Sequence, residues 1–165
     1  MIKYCLEKWN QNYKNLEEIY RNGTGWNGCN YIDIVYVVTK FILGEDWDAN
    51  HITQIDNGDY QGTLLFLIPK KTYQPSESEY LMTFVNYGSC SGCDTLLDIQ
   101  SWGDYDDVYL DEKQIKGFMW LSKDIVTNMI KPYNTGWRQS DEFEGVKFDK
   151  TQKNNELEII TEMPF

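Results

Sequence analysis

The sequence predicts an α+β fold: a small antiparallel sheet of about three to five strands packed against two or three amphipathic helices. Three observations predict it. A helical stripe of apolar residues opens the chain, an Asn-Gly turn with two apolar runs occupies the middle, and a second helical stripe runs through Phe118 to Met129. At 165 residues the chain is long enough to bury one core, so a single domain over 1–165 is expected, with 134–165 as a less regular extension.

Ile2, Leu6, Trp9, Tyr13, Leu16 and Tyr20 recur at alternating spacings of four and three, which sets them on one face of a helix ending near Gly23. Thr24 to Asn30, rich in Gly and Asn, reads as a loop. Tyr31 to Leu43 has the Val and Ile content of a strand, yet Ile32, Val35, Thr39 and Ile42 keep helical spacing. A buried helix is favoured, capped by Asn30 or Asp33 and stopped by Gly44. From Ile52 the pattern changes to strands. Asp56-Asn57-Gly58-Asp59 carries the pair that suits a tight hairpin turn, Leu64 to Ile68 is a second strand, Lys70 to Glu79 a connector and Tyr80 to Tyr87 a third strand. A three-stranded antiparallel meander is therefore expected. Asp94 to Gln100 reads as a short helix, Gly103 as part of a loop, and the helix carrying Phe118, Leu121, Ile125 and Met129 must stop before Pro132. Beyond Asn134, a hairpin through Phe143 to Phe148 and a strand through Leu157 to Ile160 complete the expectation.

Charge narrows function. Fifteen Lys and Arg stand against 26 acids, for a formal charge of −11, which opposes direct binding to nucleic acid or anionic lipid. No apolar run reaches the length of about 20 residues that spans a bilayer. Met1 to Trp9 lacks the features of a secretion signal, so a cytoplasmic location is expected. The acids are uneven: Asp94 to Glu112 holds seven of them and no Lys or Arg. Aromatic residues make up 15% of the chain, more than a small core requires, so some are expected at the surface as contact residues.

Tyr87-Gly88-Ser89-Cys90-Ser91-Gly92-Cys93-Asp94 is the most distinctive run. Half of a zinc site is one reading, with Cys5, Cys29 and His51 as the remaining nitrogen and sulfur donors, but no second close pair exists. A redox dithiol is another, opposed by Asp94 beside Cys93, because a neighbouring negative charge raises a thiol pKa. The favoured reading is a sharp turn with Ser91 and Asp94 as a helix capping box. His51 is the lone histidine and has no accompanying nucleophile motif, and there is no Walker loop or dinucleotide-binding glycine pattern. Asp104, Asp106, Asp107, Asp111 and Glu112 lack the spacing of a calcium loop. No catalytic residue or cofactor is expected.

Asp59-Tyr60-Gln61-Gly62-Thr63, followed by Tyr87-Gly88-Ser89-Cys90-Ser91-Gly92-Cys93-Asp94-Thr95-Leu96, resembles small acidic proteins of uncharacterised function encoded by bacteriophages and bacterial mobile elements. The resemblance extends over Asp59 to Pro132. It implies a viral origin and supplies no mechanism.

Charge and resemblance together lead to one expectation: a phage-type accessory protein that inhibits a host defence complex, such as a CRISPR effector, as a nucleic-acid mimic. Duplex DNA carries about one negative charge per 1.7 Å of axis, so a face of clustered carboxylates fits a cationic channel built for it. The expected face comprises Asp94, Asp98, Asp104, Asp106, Asp107, Asp111 and Glu112, with Trp102, Tyr105 and Tyr109 as aromatic anchors. The alternatives are an ordinary solvated loop at Asp104 to Glu112, a zinc- or thiol-dependent module at Cys90 and Cys93, and a regulator that assembles through Tyr and Trp contacts without mimicry.

Overall fold

The computed structural model describes residues 2–104 and 106–131. The expected C-terminal hairpin, the last strand and Tyr105 lie outside these residues. Among the described residues, four α-helices and a three-stranded antiparallel sheet make up an α+β fold.

Helix α1 (Ile2–Asn22) buries Leu6, Trp9, Leu16 and Tyr20, the periodic stripe, together with Cys5, while Tyr13 stays half-buried. It ends beside Gly23, whose N–H still donates to the Ile19 carbonyl at 3.0 Å. The left-handed glycines of the described residues are Gly25 and Gly44, so the helix ends at Gly23 without a left-handed glycine cap there.

Helix α2 (Tyr31–Val38) runs on through a π-helical turn, Thr39–Leu43, and stops at Gly44 with φ of 90°. Local propensity loses here to burial. Tyr31, Ile34, Val35, Val37, Val38, Ile42 and Leu43 are all buried, so this β-branched run gains more from surrounding packing than it loses in side-chain freedom. Asp33 closes the N-terminus by accepting from the Asn30 N–H at 2.8 Å. Asn12 of α1 donates to the Ile42 carbonyl at 2.9 Å, serving a carbonyl in the widened turn.

Strands β1 (Thr53–Asp56), β2 (Gly62–Pro69) and β3 (Tyr80–Tyr87) form the meander in the order β1-β2-β3, with Asp56 opposite Leu64 and Leu64 opposite Val85. The Asn-Gly pair does not make a two-residue turn. Residues 57–61 connect the strands, and Gly58 is not left-handed as the expected tight turn requires. The Asn57 side chain instead accepts from the Thr63 N–H at 2.7 Å, and Gly58 lies so close to the Gln61 carbonyl that a Cβ there would collide. Leu64, Phe66 and Ile68 face the helices, whereas Leu65 and Leu67 join Met82 on the opposite face. Burial on both faces explains why β2 is continuously apolar rather than alternating.

Helix α3 (Thr95–Ser101) and helix α4 (Glu112–Thr127) follow the sheet. The α4 stripe packs on α1 and β3. Tyr20 and Phe118 have ring centroids 5.1 Å apart, the Tyr20 hydroxyl lies 2.6 Å from Ser122 Oγ, and Thr83 Oγ1 donates to the Ile125 carbonyl at 2.7 Å. Past α4, Ile130 exchanges two backbone hydrogen bonds with Met82 on the free edge of β3. None of the helices among the described residues is long and apolar enough to cross a membrane.

Candidate functional site

The α3–α4 connection carries most of the expected contact residues, and its support starts from one glutamine. Gln114 is fully buried, and its side-chain amide donates to Asn27 Oδ1 at 2.8 Å, the Ile99 carbonyl at 3.2 Å and the Gln100 carbonyl at 3.3 Å. Its oxygen accepts from the Asp111 N–H at 3.2 Å, and the Asp111 carboxylate accepts from the Gln114 N–H at 2.8 Å. This reciprocal pair is a capping box that starts α4 at Glu112. Gly103 approaches Gln114 so closely that an added Cβ would lie 2.6 Å from its Oε1. Buried Leu110 pins the far end of the loop.

On that base the loop turns tightly. The Asp104 N–H donates to the Asp107 carboxylate at 3.2 Å, the Asp107 N–H donates to the Asp104 carbonyl at 3.0 Å, and Asn27 Nδ2 donates to the Asp107 carbonyl at 3.4 Å. Asp104, Asp106 and Asp107 are exposed, and Val108 and Tyr109 expose 62% and 57% of their surface beside them. Val108 and Tyr109 thus lie exposed between hydrogen-bonded Asp107 and buried Leu110.

The remaining expected residues divide. Asp94 is buried, 6% exposed, and leaves the outward face entirely. Its carboxylate accepts from the Tyr31 hydroxyl at 2.8 Å, the Leu97 N–H at 3.1 Å and the Gly88 N–H at 3.1 Å, so it is the N-cap of α3. The capping-box reading with Ser91 is thereby corrected: Asp94 opens the helix and is not its third residue. Burial of Tyr31, more than its bond to Asp94, pushes its phenol pKa up. Asp98 is half-buried in the first turn of α3, and Asp111 spends its carboxylate on the α4 cap. Glu112 forms an ion pair with Arg21 of α1, whose guanidinium lowers the carboxyl pKa. Trp102 is half-buried, with its ring edge where a Gly117 Cβ would stand and Lys113 Nζ 4.7 Å from its centroid. It is a wall of the loop rather than a projecting anchor.

Exposed aromatics outside the expected contact face are Trp120, Tyr60 and Tyr73, at 60%, 84% and 96%. Trp120 was detectable as an aromatic lying off the Phe118-Leu121-Ile125 stripe, and Lys123 Nζ lies 5.2 Å from its centroid.

Cys90 and Cys93 come together without a metal-binding partner set. The described residues contain no group of three His, Cys, Asp or Glu able to hold a metal ion. The donors considered with them are placed elsewhere: Cys5 is buried with its thiol 3.8 Å from Met129 Sδ, Cys29 is half-buried with its thiol pKa pushed up to about 12 chiefly by burial, and His51 pairs with Asp48 at 2.7 Å.

The fold and the loop together define a small α+β protein with a braced acidic loop. Comparison with known proteins yields no matching family profile, curated protein or solved structure.

Proposed function

We propose that this chain is a binding protein whose acidic α3–α4 loop docks, through Asp104, Asp106 and Asp107, on a cationic surface of a nucleic-acid-handling host complex. In the fuller form of this proposal it is a phage-type inhibitor of a defence complex, such as a CRISPR effector, acting in the host cytoplasm and occupying a channel meant for DNA or RNA. The observation that carries the reading is the exposure of Asp104, Asp106 and Asp107 beside exposed Val108 and Tyr109, on a loop braced by buried Gln114. The motif resemblance at Asp59–Thr63 and Tyr87–Leu96 supports the phage origin. The acidic face is narrower than the sequence implies, because Asp94 is interior and Glu112 is paired with Arg21. Carboxylates speed and orient association, whereas the ring and the valine slow release.

The test combines capture and rescue. Affinity capture from host lysate is compared between the natural chain and a triple Asp104→Asn, Asp106→Asn, Asp107→Asn variant. The expected result is enrichment of a nucleic-acid-handling complex that the triple variant loses, that raised salt weakens and that duplex DNA competes away. With that partner in hand, Tyr109→Ala raises Kd by about fivefold or more, mainly through the off-rate. Equal capture by both proteins, or failure of the purified chain to protect a phage at any dose, overturns the proposal.

A further inference from the structure

We infer that Cys90 and Cys93 form a redox-active dithiol, a site of thiol–disulfide exchange with small-molecule disulfides of the glutathione class. This is independent of the acidic loop. The two thiols are free and exposed, and their sulfur atoms stand 2.7 Å apart across the turn that links β3 to α3. The turn is fixed at both ends by one buried group. Asp94 holds the Gly88 N–H on the strand side and the Leu97 N–H on the helix side, so the intervening residues cannot drift apart. Gly88 completes the geometry, since any side chain there would collide with the Cys93 thiol.

The environment separates the two sulfurs into roles. Cys93 Sγ receives the Cys90 N–H at 3.2 Å and contacts the Cys90 thiol. Hydrogen bonds from the Cys90 thiol and its N–H, with a further contribution from Ser89, hold the Cys93 thiol below the ordinary cysteine value. Asp94, which sequence position sets against thiolate formation, has its carboxylate engaged by Tyr31, Gly88 and Leu97. Cys93 is therefore the attacking sulfur and Cys90 the resolving one. Cys5 and Cys29 stand apart, the first fully buried and the second kept protonated by burial.

The exchange balances in two displacements. Cys93 gives its proton to solvent and, as the thiolate, attacks one sulfur of a disulfide RSSR, forming Cys93 Sγ–SR and breaking the S–S bond, and the departing RS⁻ takes a proton from solvent. Cys90 then gives its proton to solvent and attacks Cys93 Sγ. The Cys90–Cys93 bond forms, the Cys93–SR bond breaks, and the second RS⁻ leaves and takes a proton from solvent. In sum the protein dithiol is oxidised by two electrons with loss of two protons, and RSSR is reduced to two RSH.

The full chain is equilibrated in buffers of reduced and oxidised glutathione, quenched with acid, and analysed by alkylation and peptide mass mapping. The expected product is a Cys90–Cys93 disulfide with Cys5 and Cys29 still alkylatable. Cys90→Ser accumulates a glutathione adduct on Cys93, and Cys93→Ser acquires one on Cys90 several-fold more slowly. The inference is overturned if Cys90 and Cys93 of the natural chain both stay alkylatable in oxidised glutathione alone. Equal adduct rates in the two single variants overturn it as well.

Discussion

Replacing Asp94 with Ala removes an acceptor that serves three donors at once: the Tyr31 hydroxyl, the Leu97 N–H and the Gly88 N–H. Loss of the N-cap costs about 1 kcal/mol. Leaving a buried Tyr31 hydroxyl without its acceptor costs a further ~1–3 kcal/mol, while the Gly88 N–H, part-buried, finds water and adds little. The expected total is about 2–4 kcal/mol, a large share of the roughly 5–15 kcal/mol that holds an ordinary domain. Asp94→Asn costs less, about 1 kcal/mol, because one oxygen still accepts from Tyr31 and Leu97 while the amide confronts the Gly88 donor. Asp106→Asn, on the exposed loop, changes stability by no more than about 0.5 kcal/mol. Urea unfolding measures all three. With a slope of about 1.5 kcal/mol per molar, Asp94→Ala lowers the midpoint by about 1–3 M at an unchanged slope. A midpoint equal to that of the natural chain would refute the assignment of Asp94 as an interior cap and return it to the surface face.

Three further outcomes follow from the same contacts. Gly117→Ala gains about 1 kcal/mol of helix propensity but places a Cβ 2.7 Å from Trp102 and 2.9 Å from Ile99, so a net loss of about 1–2 kcal/mol is expected in thermal unfolding, and a stabilised variant contradicts the packing. Gln114→Glu turns a donor into a carboxylate facing the Ile99 and Gln100 carbonyls; burial raises its folded pKa, so the loss of about 3 kcal/mol at pH 8 shrinks as pH is lowered towards 5, and a pH-independent loss would rule out this cause. Arg21 depresses the Glu112 carboxyl pKa, so that pair contributes above the ordinary carboxylate range and its contribution disappears as pH falls through the lowered value. Glu112→Gln therefore flattens the acid limb of the stability curve, more at low salt than at high salt, and identical acid limbs would exclude the pair as a contributor.

Much of the fold was legible because periodicity is a physical signal carried by consecutive residues. The Leu6-Trp9-Leu16-Tyr20 face of α1, strands β2 and β3, and the Phe118-Leu121-Ile125 face of α4 all occupy the places that spacing assigns them. The 57–61 connection departs from the tight turn that Asn-Gly predicts, because that turn needs a glycine at positive φ and the Asn57 side chain offers the backbone a different partner. The start of α4 carries a local signal too, since Asp111 and Gln114 stand three apart just before an apolar stripe.

Sequence alone determined the helix and strand periods, the acidic balance of −11 and the presence of seven carboxylates between Asp94 and Glu112. Which of those seven stay open to solvent was decided by tertiary structure, because a carboxylate in a chain looks the same whether solvent, a helix N-terminus or a distant arginine satisfies it. Tyr31 and Gly88 draw Asp94 inward, Gln114 engages Asp111, and Arg21, from the far end of the sequence, neutralises Glu112. The pairing of Cys90 with Cys93, likewise, follows from a turn anchored at both ends by one buried side chain, a constraint that local spacing does not express.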